Sequence, residues 1–509
     1  MDLIENYFVA YLDVLGSKKR ILDAEVQSLN IIHELYSQIL DKPLLYPHLG
    51  YNSLIINIFS DNIVVAEKYP TTDNSEDKIN AFKKISAFIA EFQYLAFRDY
   101  LWVVRGALSV GPFYITKEDK EPKIIWGAAL DETLQMENSQ AIYPRVLISK
   151  KLRELFSNSD QEICDEYYIW RDSDGLYYNG YMDRHWVTLN SSTHMNEFKS
   201  RHLKLLTSPD NDDKMLQKHM WHAHSFNKEC DQWKQPSNKI DFNKLSLNTE
   251  VYTPSHTKLE LQVKSHLIAY LHLIDLNEQP KKDEERVNII QSLYDETIQK
   301  LKTSLQKIYP HAIPSVKIFS DILVISEEVT DEVASFENGL LRLIYFVSYF
   351  QACALTKSRL LVRGAVTLGT LYIDDILVWG SGLLRAYTLE HELALYPRIL
   401  FDRERILCSE HDHPLWIKSN GEYYSQDFDG LYYLNYEGHL NSKEGNLIDN
   451  CDEEIHKSLS AMLREYAKNE LAIQQLSWSV HYHNYVCDKV SSKPHLRICP
   501  DVDFQAVET

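Results

Sequence analysis

The chain has 509 residues, enough for more than one hydrophobic core of ordinary size. Hydrophobic residues make up 44% and charged residues 25%, the balance of a folded globular protein. With 53 Lys and Arg against 73 Asp and Glu the net charge is −20, which argues against a protein that grips nucleic acid by its phosphates but not against a small polyphosphate carried in with a divalent metal.

The opening MDLIENYFVAYLD has no basic segment and no small-residue cleavage site, so it does not read as a signal peptide, and the expected location is the cytoplasm. YFVAYLDVLG, residues 7–16, is a continuous run of apolar, aromatic and β-branched residues and predicts a buried strand. Helical spacing follows over residues 21–41. LIINIFSD and NIVVAEKY predict two strands joined at a tight Ser-Asp turn, and residues 77–98 predict a helix. LWVVRGALSVGPFYI predicts a long strand that Gly106 and Gly111 interrupt. A short strand IIW, a helix from Gly127 and a strand RVLIS come next. The order β-α-β-β-α-β is the ferredoxin-like, split βαβ plan of an α+β fold. A strand pair around Asp174-Gly175, expected to turn as type I′, and a long helix ending in Trp, His and Asn complete the segment.

This plan occurs twice. IFSDNIVV recurs as IFSDILVI, VVRGALSVGPFYI as LVRGAVTLGTLYI, IYPRVLIS as LYPRILFD, DSDGLYYNGY as DFDGLYYLNY, and WHAHSFN as WSVHYHN. Asp61 pairs with Asp321, Arg105 with Arg363, Pro144 with Pro397, Asp174 with Asp429 and Trp221 with Trp478, at a nearly constant separation that marks a duplicated domain. The first copy is expected over residues 1–235 and the second over 259–509. The polar stretch 236–258 between them reads as a linker. The apolar run near Leu340 to Leu355 carries Arg342 and Gln351, is too short to span a bilayer, and predicts a buried helix. The seven cysteines form no C-x-x-C pair and read as free thiols in a reducing compartment.

Two acidic positions stand out in the first copy. Asp13 interrupts an apolar strand, and Asp61 lies at the apex of the next hairpin. Neighbouring strands of a split βαβ sheet bring both carboxylates toward one spot. A buried carboxylate is costly without a partner, and a divalent cation supplies one. Two carboxylates can bridge two such ions. The alternatives are a carboxylate paired with Arg or Lys at Asp13 and a plain turn residue at Asp61. Gly16 and Ser17 lead into a helix whose backbone N–H groups suit phosphate. His219, His222 and His224 invite a zinc reading, but only Trp, His and Asn of that string repeat, as packing and capping residues do.

YLDVLGS followed by FSDNIVVA resembles the class III adenylate and guanylate cyclase pattern, and RGALSVG resembles that family's central glycine-containing strand. GSGLLRAYTLEHELALYPRI is similar, more narrowly, to the Pycsar-type pyrimidine cyclases of bacterial antiphage defence. The resemblance covers residues 5–150 and 264–403. It implies two class III cyclase-type domains forming a pseudo-dimer, two Mg²⁺ or Mn²⁺ ions held by Asp13, Asp61 and the Val14 carbonyl, and conversion of CTP or UTP to its 3′,5′-cyclic monophosphate. The cyclic product would act on a separate effector, with no nucleic acid or membrane partner, in a chain that is a monomer or homodimer.

The copies diverge. His272 stands where the first copy has Asp13, and Asp275, three positions on, is expected on the opposite strand face. The second copy is therefore expected to have lost the metals and to supply nucleotide contacts. The resemblance puts Lys317 at a base-reading position, with apolar Leu377 at the other. The transition-state Asn and Arg of purine cyclases fall on Leu384 and Thr388, or on Asp131 and Gln135 in the first copy, so neither copy keeps them. Arg385 and Tyr387 are the candidates to take over. A non-catalytic nucleotide sensor and a purine cyclase are the rival readings.

Overall fold

In the computed structural model the described residues are 5–41, 48–72, 74–116, 124–156, 169–180, 192–208, 211–232, 236–244, 261–276, 285–286, 288–297, 314–407, 423–441 and 450–499. They form two compact units. The first comprises Met1–Tyr114, Gly127–Gln262 and Ile373–Trp379. The second comprises Ile115–Trp126, Val263–Tyr372 and Gly380–Thr509. Both are mixed α and β. Each unit thus includes one short strand that belongs, by sequence order, to the other repeat.

In unit 1, β1 (Glu5–Val14) lies between β3 (Asn62–Lys68) and β4 (Val104–Ile115), antiparallel to both, and β2 (Ile55–Phe59) pairs with β3. The order is β2-β3-β1-β4. Leu377–Trp379 adds to β2 in parallel register, Leu377 opposite Ile58. β4 runs unbroken, contrary to the expected interruption. Gly106 is needed for close pairing instead: a Cβ there would stand 2.1 Å from the Tyr11 carbonyl oxygen. That approach sets Arg105 opposite Asp13.

The first helical segment splits into α1 (Ser17–Asp23) and α2 (Glu25–Asp41), because Ala24 leaves helical geometry at φ −151°. α3 (Ser75–Tyr100) starts where the Asn74 side chain accepts the Glu76 N–H at 3.0 Å, and buries its apolar face with Phe82, Phe88 and Phe92 fully inside. α4 (Ala128–Gln140), α5 (Ser192–Leu206) and α6 (Asp213–Gln232) complete the helices used below.

Unit 2 repeats the order. β5 (Lys264–Ile274) lies between β7 (Ile322–Glu328) and β8 (Leu361–Ile373), β6 (Ser315–Phe319) pairs with β7, and Ile124–Trp126 adds to β6 in parallel. Helix Val333–Ser358 is long and apolar enough to cross a membrane, yet 78% of its most apolar window is buried inside the protein. α7 (Ser381–Leu393) carries Arg385, Tyr387 and Glu390.

The repeated strings meet in one network per unit. Arg145, 2% exposed, binds Asp172 at 2.5 Å and also Asp174, while the Trp221 indole N–H donates to Asp172 at 2.9 Å. Arg398 binds Asp427 and Asp429, and Trp478 donates to Asp427 at 2.7 Å. A buried guanidinium needs such satisfaction, which accounts for the repetition of Y-P-R, D-x-D-G and Trp together. The Asp-Gly turns are not type I′. Only the glycines take positive φ (85° at Gly175, 83° at Gly430), and Gly175 N–H donates to Asp172 O, so each is a type I turn closed by a left-handed glycine bulge. Asn227 and Asn484 each clamp a later backbone segment, at Ile240 and Ile498. The stretch read as linker is therefore tied down at 236–244. Its remainder, 245–258, lies outside the described residues, as do Cys164 and Cys408. The other five cysteines are free.

Candidate functional site

Register places the first-copy residues together. Asp13 sits one residue before the end of β1, opposite Asn62 on β3 and Arg105 on β4. Asp61 follows Ser60, whose φ of 58° turns the β2–β3 hairpin in two residues. The Val14 N–H donates to the Asp61 carbonyl at 3.2 Å, and the buried Ser17 hydroxyl donates to the Asp61 carboxylate. Gly16, at φ 76°, makes the bend that brings Ser17 there.

The charges around this turn are unbalanced. Arg105 binds Asp13 at 2.8 Å and Glu137, on α4, at 2.6 Å. Burial, then the charge of Asp61, pushes the Asp13 carboxyl above its usual range. Burial pushes buried Glu137 up to about 7, with Asp13 and Asp61 adding to the rise. One guanidinium is thus shared by two of these three carboxyls. Among the described residues no three or more His, Cys, Asp or Glu side chains converge as a metal cage. A hard cation here would thus take two carboxylates and backbone oxygen from the protein, and its remaining ligands from water and phosphate, which is how Mg²⁺ is commonly held.

The matched positions of unit 2 are already neutralised. His272 Nε2 lies 3.0 Å from Asp321 and its Nδ1 3.2 Å from Glu390, the counterpart of Glu137. Arg363, the counterpart of Arg105, binds Glu390 at 2.5 Å. Burial opposes charge on His272, but its bonds to Asp321 and Glu390 outweigh it and raise the imidazole to about 9. Those bonds likewise overcome burial and hold Asp321 and Glu390 below their usual ranges. Asp275 does not follow the expected alternation. The strand ends at Ile274, and Asp275 lines a small cavity with Asp321 and Arg286, whose guanidinium lies 4.9 Å from the centre of the Trp126 ring.

A stability prediction follows from the signs. The raised His272 contributes fully below about pH 6.5 and loses its contribution as pH climbs through 9. The depressed carboxyls contribute above about pH 4 and lose theirs in acid. His272→Gln is expected to cost unit 2 about 2 kcal/mol at neutral pH and to flatten its alkaline loss. Urea melts of both proteins at pH 7 and pH 10 measure this; parallel curves would remove the ion cluster from the account.

Searches of known proteins add only structural likenesses. No family model matches the chain. No curated protein matches it either. Among solved structures, a class III adenylyl cyclase-like ATP-binding protein from Pseudomonas aeruginosa is similar at 9% identity and a TM-score of 0.44, over 78% of this chain and 84% of its own. The guanylate cyclase domain of RhGC from Catenaria anguillulae, in complex with GTP, is similar at 13% identity and a TM-score of 0.24, over 34% of this chain and 94% of that one. The monomeric guanylyl cyclase domain of the RhoGC fusion protein from the aquatic fungus Blastocladiella emersonii gives 12% identity and the same score over 35% and 95%.

The other sequence candidates lie in unit 2. Lys317 is half-buried on β6. Leu377, its expected companion, is fully buried in unit 1 beside β2, while Ile124–Trp126 stands beside the strand of Lys317. Arg385 is held by Asp402 at 2.9 Å and Glu404 at 3.0 Å. Tyr387 stacks on His391 at 5.5 Å and meets Tyr270 edge-on at 5.8 Å. The Thr388 hydroxyl donates to the Leu384 carbonyl. His219 and His222 are buried, whereas His224 is exposed and packs on Phe242, so the three do not converge. Glu137 escaped the sequence reading. Its signal was available: a Glu precedes Ala-x-Tyr-Pro-Arg by four residues in both copies.

Proposed function

We propose that the chain cyclises a nucleoside triphosphate to its 3′,5′-cyclic monophosphate and pyrophosphate, using the Asp13–Asp61 turn of unit 1. One observation carries this reading: two copies of one set of positions differ in charge balance, and only the copy with Asp13 has acid left over, while His272 neutralises the other. In the reaction the ribose 3′-oxygen bonds to the α-phosphorus, the bond to the bridging oxygen of the β-phosphate breaks, and the hydroxyl proton leaves to solvent or base. Divalent ions at such a site lower the pKa of the hydroxyl and neutralise charge on the phosphates. The protein's part is to hold Asp13 and Asp61 in register and to anchor Arg105 through Glu137.

Each unit is read as a split-βαβ cyclase-type domain. The finer reading takes CTP or UTP as substrate, resting on the resemblance of residues 380–399 to pyrimidine cyclases. It assigns Lys317 and Tyr387 to the base, Gly16 and Ser17 to phosphate, and Arg385 to phosphate once it leaves Asp402 and Glu404. It also places the product as a messenger for a separate effector in antiphage defence. A second reading, nucleotide sensing without turnover, is favoured by Leu384, Thr388, Asp131 and Gln135 at the positions of the transition-state Asn and Arg.

Incubating the purified chain with Mn²⁺ and each of four nucleoside triphosphates, with products separated by chromatography, decides between them. A cyclic pyrimidine nucleotide is the expected product. A cyclic purine nucleotide would correct the substrate, a linear oligonucleotide the reaction class, and thermal stabilisation by a nucleotide without product would assign sensing.

A further inference from the structure

α6 rests against the segment that follows Asp13, and one of its residues stands out. The Met215 methyl lies 3.5 Å from where a Cβ on Gly16 would stand. Two turns later Trp221 is fixed by its bond to Asp172. Residues three apart share a helix face, so Lys218 lies between these two anchors and on their side. It is half-buried and forms no hydrogen bond or ion pair among the described residues. The charges acting on it are those of Arg105, Asp13, Asp212 and Glu137, which places its ammonium beside the acidic turn. A half-buried ammonium with no bonded partner is a costly arrangement unless an anion completes it.

The repeat supplies an independent comparison. The matching residue of unit 2 is Gln475, whose amide donates to the Leu395 carbonyl at 3.4 Å. Within one chain, lysine accompanies Asp13, and a neutral amide accompanies His272. The lysine and the aspartate differ between the copies together, which ties Lys218 to the acidic turn rather than to the packing of the helix.

We infer that Lys218 contacts the polyphosphate of the nucleotide bound at the Asp13–Asp61 turn. The inference rests on the proposed metal-dependent nucleotide site. In the metal-free state Lys218 and Arg105 both compensate the carboxylates. When divalent ions take over Asp13 and Asp61, Lys218 is left beside an anion that arrives with them. It thereby supplies a fixed positive charge that the lost transition-state arginine positions of this chain do not.

The test uses the full chain and two probes, Mn²⁺ alone and Mn²⁺-saturated inorganic tripolyphosphate, each followed by titration calorimetry. Lys218→Gln removes a charge that repels Mn²⁺ and attracts phosphate, so its two effects have opposite signs. Expected are Mn²⁺ affinity unchanged or raised by a few-fold and tripolyphosphate affinity lowered about 10- to 100-fold, with Lys218→Arg within about fivefold of wild type. A purely structural lysine would weaken both probes together or neither, and either result overturns the inference. Wild-type protein that binds Mn²⁺ but not tripolyphosphate overturns it alone. Wild-type protein that binds no Mn²⁺ overturns the metal site and this inference with it.

Discussion

Asp61→Ala is expected to lower cyclic-nucleotide formation at least about 10³-fold, while the matched Asp321→Ala leaves it within about threefold of wild type. The two residues occupy the same hairpin apex in the two copies, each one residue after a serine of positive φ (58° at Ser60, 53° at Ser320). Their partners separate them. Asp61 faces Asp13 with the cationic charge of Arg105 shared by Glu137, so its removal leaves one carboxylate where two are needed for the ions. Asp321 is an ion-pair acceptor for His272, and its loss is felt in folding, at about 1–2 kcal/mol, because the imidazolium keeps only Glu390. Product chromatography and urea melts on both variants read the two effects. Equal loss of product in both, or an active Asp61→Ala, would end the assignment of the metals to unit 1.

Much of each unit was legible because local pattern and tertiary environment agree there. The helix expected over 77–98 forms at Ser75–Tyr100, where an Asn cap precedes a long apolar face. The strand expected over 7–16 forms at Glu5–Val14, buried on both faces. Duplication gave every such reading a second chance, since His272 against Asp13 shows at once which copy changed. The exchange of Ile124–Trp126 and Leu377–Trp379 was not legible. IIW and LVW carry the same apolar, strand-forming pattern whichever sheet receives them, and nothing in a three-residue strand specifies its neighbour. That exchange is why Lys317 and Leu377, which the resemblance puts at the two base-reading positions, belong to different units. Gly106 was misread for a related reason. A glycine in a strand signals either a break or a close approach, and only the position of the Tyr11 carbonyl decides. Glu137 was hidden among the polar residues of a short helix, where a lone acid normally faces water.

Mild acid is expected to destabilise unit 1 well before carboxylate protonation alone would. His202, His219 and His222 are each 3% exposed or less, with the His202 and His222 rings 4.7 Å apart and Phe97 packed against both. Burial first, then neighbouring positive charge, lowers all three: His219 to about 4 through Arg20 and Lys218, His222 to about 3 through His219, and His202 through the other two. The folded state therefore holds them neutral. Their contribution is complete above the unfolded value near 6.5 and drains as pH falls toward the folded values, since the unfolded chain takes up the protons first. For His219 and His222 together the loss between pH 7 and pH 5 amounts to about 4 kcal/mol, a large share of a typical domain's stability. His222→Phe, which suits the edge-on contact with Phe97, is expected to remove about half of that slope. Denaturant melts at half-unit steps from pH 7 to pH 5 measure it, and identical slopes in wild type and variant would sink the claim. The consequence reaches the acidic turn. α6 carries His219 and His222 on the same two turns as Lys218, and rests its Met215 on Gly16. These histidines stay neutral while the protein is folded, so activity should hold until unit 1 unfolds and then fall with the folded fraction.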